Sequence, residues 1–239
     1  GNIRQVDAVV HVVRCFEDPD VIHVDGSVDP IRDIEIINLE LALSDMEQCE
    51  KRLAKVAKDR KASPDEKKAL EKLLEALNND QPARLVDLTE EEEKATKALG
   101  LLTRKPVIFA ANVADSDLAE GNSMVESVRE HASKEGAPVV IVSAQVESEL
   151  VELDPEEKKE FLDALGVEEE SCGLRALVRA AYERLDLQTY FTSGETETRA
   201  WTIMRGTKAP QAAGVIHSDF ERGFIRAETM AYDELVEAG

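Results

Sequence analysis

Three short apolar runs are separated along the chain by stretches in which apolar residues recur with a helical period. Residues 7–13 form an apolar run that contains one His, and residues 107–111 and 139–142 form two more. Runs of this length without polar alternation are typical of strands buried on both faces of a parallel sheet. Intervening helices imply right-handed crossovers. The pattern therefore predicts an α/β domain.

A long helical region interrupts these runs. From Ile34 onward the apolar residues recur at alternating spacings of three and four, which places them on one stripe of a helix. They are Leu39, Ala42, Met46, Cys49, Leu53 and Val56. Ser63 and Pro64 have the character of an N-cap and a first helical residue, and a second stripe follows at Leu70, Leu73 and Leu77. We expect the two helices to pair as an antiparallel coiled coil that packs on itself and not on the sheet.

A third, shorter helix closes the helical region. Thr89 and Glu92 have the spacing of a capping box, and Gly100 is of the type that ends helices. Pro106 then leads into the apolar run at residue 107. We therefore predict that residues 34–100 are an arm inserted into the α/β domain.

The pattern changes again at Leu187. Residues 189–192 and 198–203 alternate on either side of a turn at Gly194, as in a β-hairpin. A short helix near residues 209–217 and a strand near residues 224–229 are predicted to follow. A hairpin, a helix and a strand begin a small α+β module.

The composition limits the kinds of partner. The formal net charge is −21, from 29 basic and 50 acidic residues, which argues against general electrostatic affinity for DNA, other nucleic acids or anionic membranes. No apolar run reaches the roughly 18 residues of a membrane helix. Cys15, Cys49 and Cys172 are far apart, as expected for structural thiols in a reducing compartment. The histidines, His23 among them, lack metal-ligand spacing, so no metal site is predicted.

Polar residues follow directly on two of the predicted strands. Asn112 ends the run at 107–111, and Ser143 with Ala144 follows the next run. Ligands bind at the carboxyl ends of strands in α/β domains, and P-loop domains hold a purine base there with an Asn and a Ser-Ala pair. Taken singly, each is also typical of a helix cap or a turn. The order and spacing of both favour a base pocket.

The four residues that begin at Asn112 sharpen this hypothesis. Asn112-Val113-Ala114-Asp115 resembles the Asn-Lys-x-Asp motif of GTPases, with Val in place of Lys. An Asn there bonds the purine, and an Asp carboxylate accepts from the N–H groups of guanine. No G-x-x-x-x-G-K-[ST] occurs in the 239 residues, so we expect the phosphate-binding loop to lie upstream of Gly1.

Longer motifs are similar to those of the YchF/Obg-like ATPase family of P-loop NTPases. They are residues 8–16, 29–39, 112–113, 143–144, 199–202, 209–214, 219–220 and 223–228. The resemblance implies an α/β fold, in which a partial Ras-like P-loop NTPase domain carries an inserted antiparallel coiled-coil arm and is followed by a partial β-grasp TGS domain. The implied divisions are 1–33 and 101–186 for the nucleotide-binding domain, 34–100 for the arm and 187–239 for the TGS domain.

The same resemblance implies a function and a set of contacts. It implies an ATPase that uses Mg²⁺, associates with ribosomes as a regulatory switch, and hydrolyses ATP better than GTP. The implied base contacts are Asn112, Val113 through its backbone, Ser143 and Ala144, with Phe16 as an apolar wall. Asp115 departs from the family, in which Glu is usual, and this leaves the base preference open. The catalytic element and the magnesium ligands correspond to positions before Gly1, so none is assigned and this chain alone is expected to be inactive.

Two alternatives remain from the sequence. One is a true GTPase that reads guanine with Asp115, and the other is a non-catalytic adaptor that binds protein or RNA through the arm and the TGS domain. Basic residues are dense near the C-terminus and either face ribosomal RNA or form a solvated surface; they are Arg199, Arg205, Lys208, Arg222 and Arg226. The expected location is the cytoplasm, with a plastid or mitochondrion as the alternative.

Overall fold

Two compact units, residues 1–184 and residues 185–239, make up the structure, which is a computed structural model. It describes residues 2–22, 26–59, 62–168, 173–194 and 196–238. His23 and Cys172 lie outside these ranges. Within them, no helix combines the length and the apolar character needed to cross a membrane.

Three parallel strands form the centre of the first unit. They are β1 (Val9–Arg14), β2 (Val107–Asn112) and β3 (Val139–Val142), in the order β1-β2-β3. The three apolar runs thus form strands, as predicted. Asn112 lies opposite Arg14 on one side and Val142 on the other, so the carboxyl ends of all three strands meet at one edge.

Only one face of β1 is buried. Val13 packs into the core, whereas Val10 is exposed and Val12 is 65% exposed. The prediction that this strand is buried on both faces is wrong. β1 is an edge strand of the described sheet, and the alternation of its side chains leaves every second one outside the core.

Three helices form the region between β1 and β2. They are α1 (Pro30–Val56), α2 (Pro64–Asn78) and α3 (Glu90–Thr96), with single 3₁₀ turns at Ala83–Leu85 and Lys97–Leu99. Ser63 caps α2, and Thr89 with Glu92 forms the predicted capping box of α3. Asp29 caps α1, which therefore begins before Ile34. Gly100 ends the region with a left-handed φ of 57°, a conformation that glycine adopts readily.

The distal half of α1 pairs with α2 as predicted. Cys49 and Val56 of α1 form one apolar cluster with Leu70 and Leu73 of α2. Burial raises the pKa of the Cys49 thiol to about 11, with a smaller contribution from Asp45. This part of the region is a helical hairpin with its own core.

The first half of α1 packs on the sheet instead. Ile34 is 0% exposed and belongs to the same cluster as Val13 and Phe109 of the sheet, whereas Leu39, a predicted seam residue, is 53% exposed. The expectation that the arm packs only on itself is therefore wrong. A helix of 27 residues is long enough to reach both cores, and its buried stripe follows positions 34, 45 and 56.

A buried carboxylate lies in the middle of that stripe. Asp45 is 0% exposed and accepts hydrogen bonds from the backbone N–H groups of Leu102 and Thr103, at 2.9 and 2.7 Å, and from the Thr103 hydroxyl at 2.8 Å. Arg4 forms an ion pair with it at 3.3 Å. Asp45 thus connects α1 to the turn that leads into β2.

Four helices complete the first unit. They are α4 (Ser123–Ser133), α5 (Ala144–Leu150), α6 (Pro155–Ala164) and α7 (Gly173–Arg184). α4 packs against α1, β2 and β3, and α7 packs against β2 and β3. Buried residues of α4, α5 and α6 join the core of the sheet. Ser143, the cap of α5, directly follows β3, and Asn122, the cap of α4, bonds the carbonyl of Cys15. Both caps therefore lie at the same edge as Asn112.

The second unit is built on a hairpin, as predicted. β4 (Leu187–Ser193) and β5 (Thr198–Met204) pair antiparallel, and α8 (Ala209–Ile216), α9 (Ser218–Arg222) and α10 (Tyr232–Ala238) follow. The predicted strand at residues 224–229 is wrong, because this segment has no regular secondary structure. A strand needs a hydrogen-bonded neighbour, and the described sheet of this unit contains β4 and β5 alone.

Candidate functional site

Asn112 connects the loops that follow β2 and β3. Its Oδ1 accepts a hydrogen bond from the backbone N–H of Ala144 at 2.9 Å, and its own carbonyl accepts from the N–H of Cys15 at 2.7 Å. The ends of all three strands are therefore bonded to one another at this residue. The side chain is half-buried, and its Nδ2 donates to none of the residues that the structure describes. An amide donor is thus available at the edge of the sheet.

Ser143 and Asp115 form the second contact between these loops. The Ser143 hydroxyl donates to Oδ1 of Asp115 at 2.9 Å and accepts from the N–H of Val146 at 3.3 Å, which caps α5. Ser143 is 1% exposed, whereas Ala144 beside it is exposed. The second carboxylate oxygen of Asp115 has no partner among the described residues. It is the acceptor that this side of the site offers.

Val113 and Phe16, the other two predicted contacts, each make an internal contact at this edge. The Val113 side chain is buried, and its backbone N–H donates to the carbonyl of Val142 at 2.9 Å, so only its carbonyl is available. Phe16 is half-buried, and the Arg14 guanidinium carbon lies 4.7 Å from the centre of its ring. One face of that ring is therefore covered by a cation.

Asn122 has no place in the sequence-based site, yet it borders the same loop. It caps α4, and its side chain also bonds the Cys15 carbonyl and the Asp117 carboxylate. The local pattern of Gly121-Asn122 before an amphipathic helix indicates the cap. The other two partners are not visible in the sequence, because they depend on the return of β1 beside β2.

The described residues of the site offer hydrogen-bonding groups, and the nearby thiol of Cys15 is not activated. Burial raises the pKa of the Cys15 thiol to about 11, so this cysteine stays protonated at neutral pH. Within the described ranges, no group of three or more His, Cys, Asp or Glu side chains has a geometry suited to a metal ion. Asn112 Nδ2 as donor and Asp115 Oδ2 as acceptor are suited to recognising a planar polar ligand.

The basic residues near the C-terminus lie in the second unit, and all five are exposed. Arg199 stacks its guanidinium carbon 4.2 Å from the ring centre of Trp201, whose indole N–H donates to Thr192. Arg205 pairs with Asp186 at 3.4 Å. An ion pair as exposed as this one contributes little to stability.

These features together define a class of protein, a Ras-like domain of the P-loop NTPase type with a coiled-coil arm and a β-grasp (TGS) unit. The features are the parallel sheet, the polar residues at its carboxyl edge, the helical insertion and the C-terminal hairpin unit. The structure of the Schizosaccharomyces pombe YchF GTPase is similar, with a TM-score of 0.83 and 38% identity over 98% of this chain and 65% of that one. The chain belongs to the YchF family.

Sequence comparisons support this assignment. A family model named YchF-GTPase_C and described as a protein of unknown function (DUF933) matches residues 187–239. The chain is 52% identical over 245 residues to the ribosome-binding ATPase YchF of Bacillus subtilis, covering all of this chain and 66% of that protein. It is 50% identical over 241 residues to the protein of the same name from Haemophilus influenzae, covering 99% and 66%. The chain thus spans just under two thirds of the length of these relatives.

Proposed function

We propose that the edge of the sheet binds the purine base of a nucleoside triphosphate. The residues proposed to contact or border the base are Asn112, Val113, Ser143, Ala144, Asp115 and Phe16. The observation that supports the proposal is the 2.9 Å hydrogen bond from Ala144 to Asn112, which joins the two loops and leaves Asn112 Nδ2 as a donor. Purine N7 is an acceptor in adenine and in guanine, so this donor suits either base.

We further propose that the whole protein is an ATPase, with GTP as a poorer substrate, and acts as a regulatory switch on the ribosome. The names of the relatives from B. subtilis and H. influenzae support an ATPase and ribosome binding. In such switches, contacts to the γ-phosphate order mobile loops. Mg²⁺ is the metal proposed for the reaction, and no residue of the base site is assigned to it.

We propose that each domain has its own role in this function. Residues 1–33 and 101–186 belong to the nucleotide-binding domain, residues 34–100 to the arm, and residues 187–239 to the TGS domain. Ribosomal RNA is the proposed partner of the exposed basic residues of the TGS domain, since arginine and lysine bind phosphates. The cytoplasm is the proposed location, which is compatible with a ribosomal partner.

A true GTPase is the second candidate, and one observation favours it. Asp115 Oδ2 has no partner within the described part of the chain, while Ser143 holds Oδ1. A carboxylate so oriented accepts from the N–H groups of guanine, whereas adenine offers it a lone pair at N1. A nucleotide-free adaptor, the third candidate, would need neither base contact.

The test of the base site is Asn112→Ala in the full-length protein, with Gln145→Ala as the matched control. Gln145 is an exposed neighbour whose side chain bonds Glu149 and no other residue that the structure describes. We expect Asn112→Ala to weaken ATP binding about tenfold or more, the equivalent of roughly one hydrogen bond. Calorimetric titration measures both variants. Equal affinities for ATP in the native protein and in Asn112→Ala would reject the base site.

A further inference from the structure

Asn122 uses its whole side-chain amide within the protein. Its Nδ2 donates to the carbonyl of Cys15 and to Oδ2 of Asp117, both at 2.8 Å. Its Oδ1 accepts from the N–H groups of Met124 and Val125, at 3.0 and 3.1 Å. Two donations and two acceptances exhaust what an amide side chain makes. A side chain with every bond used has one preferred orientation.

The four bonds of Asn122 join three parts of the candidate base site. Cys15 directly follows β1, Asp117 lies in the 3₁₀ turn that begins at Asp115, and Met124 is in the first turn of α4. The backbone N–H of Cys15 in turn donates to the carbonyl of Asn112, at 2.7 Å. Asn122 therefore connects the 113–121 loop to the residue that follows β1 and to the turn that begins at Asp115.

Capping alone does not explain an Asn at this position. A helix cap requires only an acceptor, which Asp and Ser also supply. The two N–H donations to Cys15 and Asp117 need an amide, because a carboxylate here would face a carbonyl and a second carboxylate. Gly121 supports the same loop with a left-handed φ of 77°, and a Cβ built there would lie 3.2 Å from Ile141 Cδ1. The loop is thus constrained by the bonds of Asn122 and by the close packing of Gly121 against Ile141.

We propose that Asn122 is a positioning residue of the base site, which holds the 113–121 loop in the geometry that base recognition requires. It touches no nucleotide itself. Its effect passes through Cys15 to the backbone of Asn112, and through Asp117 to the turn that carries Asp115. This inference rests on the proposed function, because it presupposes that the edge of the sheet binds a base.

The test distinguishes the helix-capping role of Asn122 from the role of its two N–H donations. In the full-length protein, Asn122→Asp and Asn122→Ser both keep a capping acceptor and lose the two amide N–H donors; the single hydroxyl donor of Ser is on a shorter side chain. The dissociation constants for ATP and for inorganic tripolyphosphate are measured by calorimetry, since tripolyphosphate carries no base. We expect both variants to lose about tenfold or more in ATP affinity, as for the loss of one or more hydrogen bonds, and to keep their tripolyphosphate affinity. The double variant Asn122→Asp, Asp117→Asn restores a donor–acceptor pair and should recover part of the loss.

The outcomes distinguish this inference from the proposal on which it rests. A native protein that binds ATP no more tightly than tripolyphosphate would reject the base site itself. A native preference for ATP that stays within about twofold in both variants would overturn the role of Asn122 alone. Parallel losses for ATP and tripolyphosphate would also overturn it, because they indicate a general structural defect. If Asn122→Asp does not fold, Asn122→Ser, which adds no charge, carries the comparison.

Discussion

The hydroxyl of Ser143 donates to Oδ1 of Asp115 at 2.9 Å, across the gap between the loops that follow β3 and β2. The Oγ of Ser143 also accepts a hydrogen bond from the N–H of Val146 and so caps α5. One buried hydroxyl therefore anchors a helix and orients a carboxylate. In the proposed base site, the orientation of the other oxygen, Oδ2, would decide between adenine and guanine.

Asp115→Ala tests the choice of base. In the full-length protein we expect its ATP affinity to stay within about threefold of native, a change below ~0.7 kcal/mol, because adenine offers the carboxylate no N1–H donor. Asp115→Asn is the matched control, since it keeps an acceptor for Ser143 and removes the charge. Titration of each protein with ATP and GTP gives the affinities. Tighter binding of GTP by the native protein, lost in Asp115→Ala, would make the protein a GTPase.

Asp45→Ala tests the connection between the arm and the sheet. Removal of the carboxylate leaves the buried N–H groups of Leu102 and Thr103 without an acceptor, and we expect a loss of on the order of 3 kcal/mol in the free energy of unfolding. Urea denaturation followed by circular dichroism measures it. Glu50→Ala, an exposed change on the same helix, should leave the midpoint almost unmoved. A native-like midpoint for Asp45→Ala would show that water or other groups replace the carboxylate.

Ile34→Ala and Leu39→Ala test which core the first turns of α1 serve. Ile34 is completely buried with Val13 and Phe109, so its truncation should cost about 2–4 kcal/mol of unfolding free energy. Leu39 is exposed on the same helix, and its truncation should cost less than about 0.5 kcal/mol. Urea denaturation of both proteins gives the two values. Equal costs would contradict the packing of α1 on the sheet.

His11 should make the first unit less stable in mild acid. Burial lowers the pKa of His11 below its ordinary value of 6.5, aided by nearby His131 and Arg84 and opposed by Asp33. Its imidazole lies 5.6 Å from the ring of Phe109. The unfolded chain therefore binds the proton first, so this contribution to stability is fully present above the unfolded pKa and is lost as the pH falls toward the folded one.

The measurement is urea unfolding of the native protein and of His11→Gln between about pH 8 and about pH 5, a range that brackets the ordinary titration of His. We expect the native protein to lose more stability than His11→Gln as the pH falls. The difference between the two at the upper pH gives the structural cost of the substitution by itself. Parallel losses across the range would assign the acid sensitivity to other groups.

Local chemistry made much of the fold predictable. The caps at Ser63 and Thr89 follow from side chains that bond their own neighbouring backbone, and the hairpin at Gly194 follows from alternation around a turn. Asn112, Ser143 and Ala144 were predictable as neighbours because parallel strands bring their carboxyl ends to one edge. In each case, residues close in sequence or a rule of sheet topology carry the information.

The sequence by itself determined the three strands, the paired helices with the caps at Ser63 and Thr89, and the two loops that meet at Asn112. The tertiary structure alone decided that Asp45 is buried, that Ile34 joins the sheet, that Val12 is exposed and that residues 224–229 form no strand. It also decided the partners of Asn122. The physical reason is the same for each. Burial and hydrogen bonding depend on which distant segment lies beside a residue, and the spacing of apolar residues in a helix or a strand does not identify that segment.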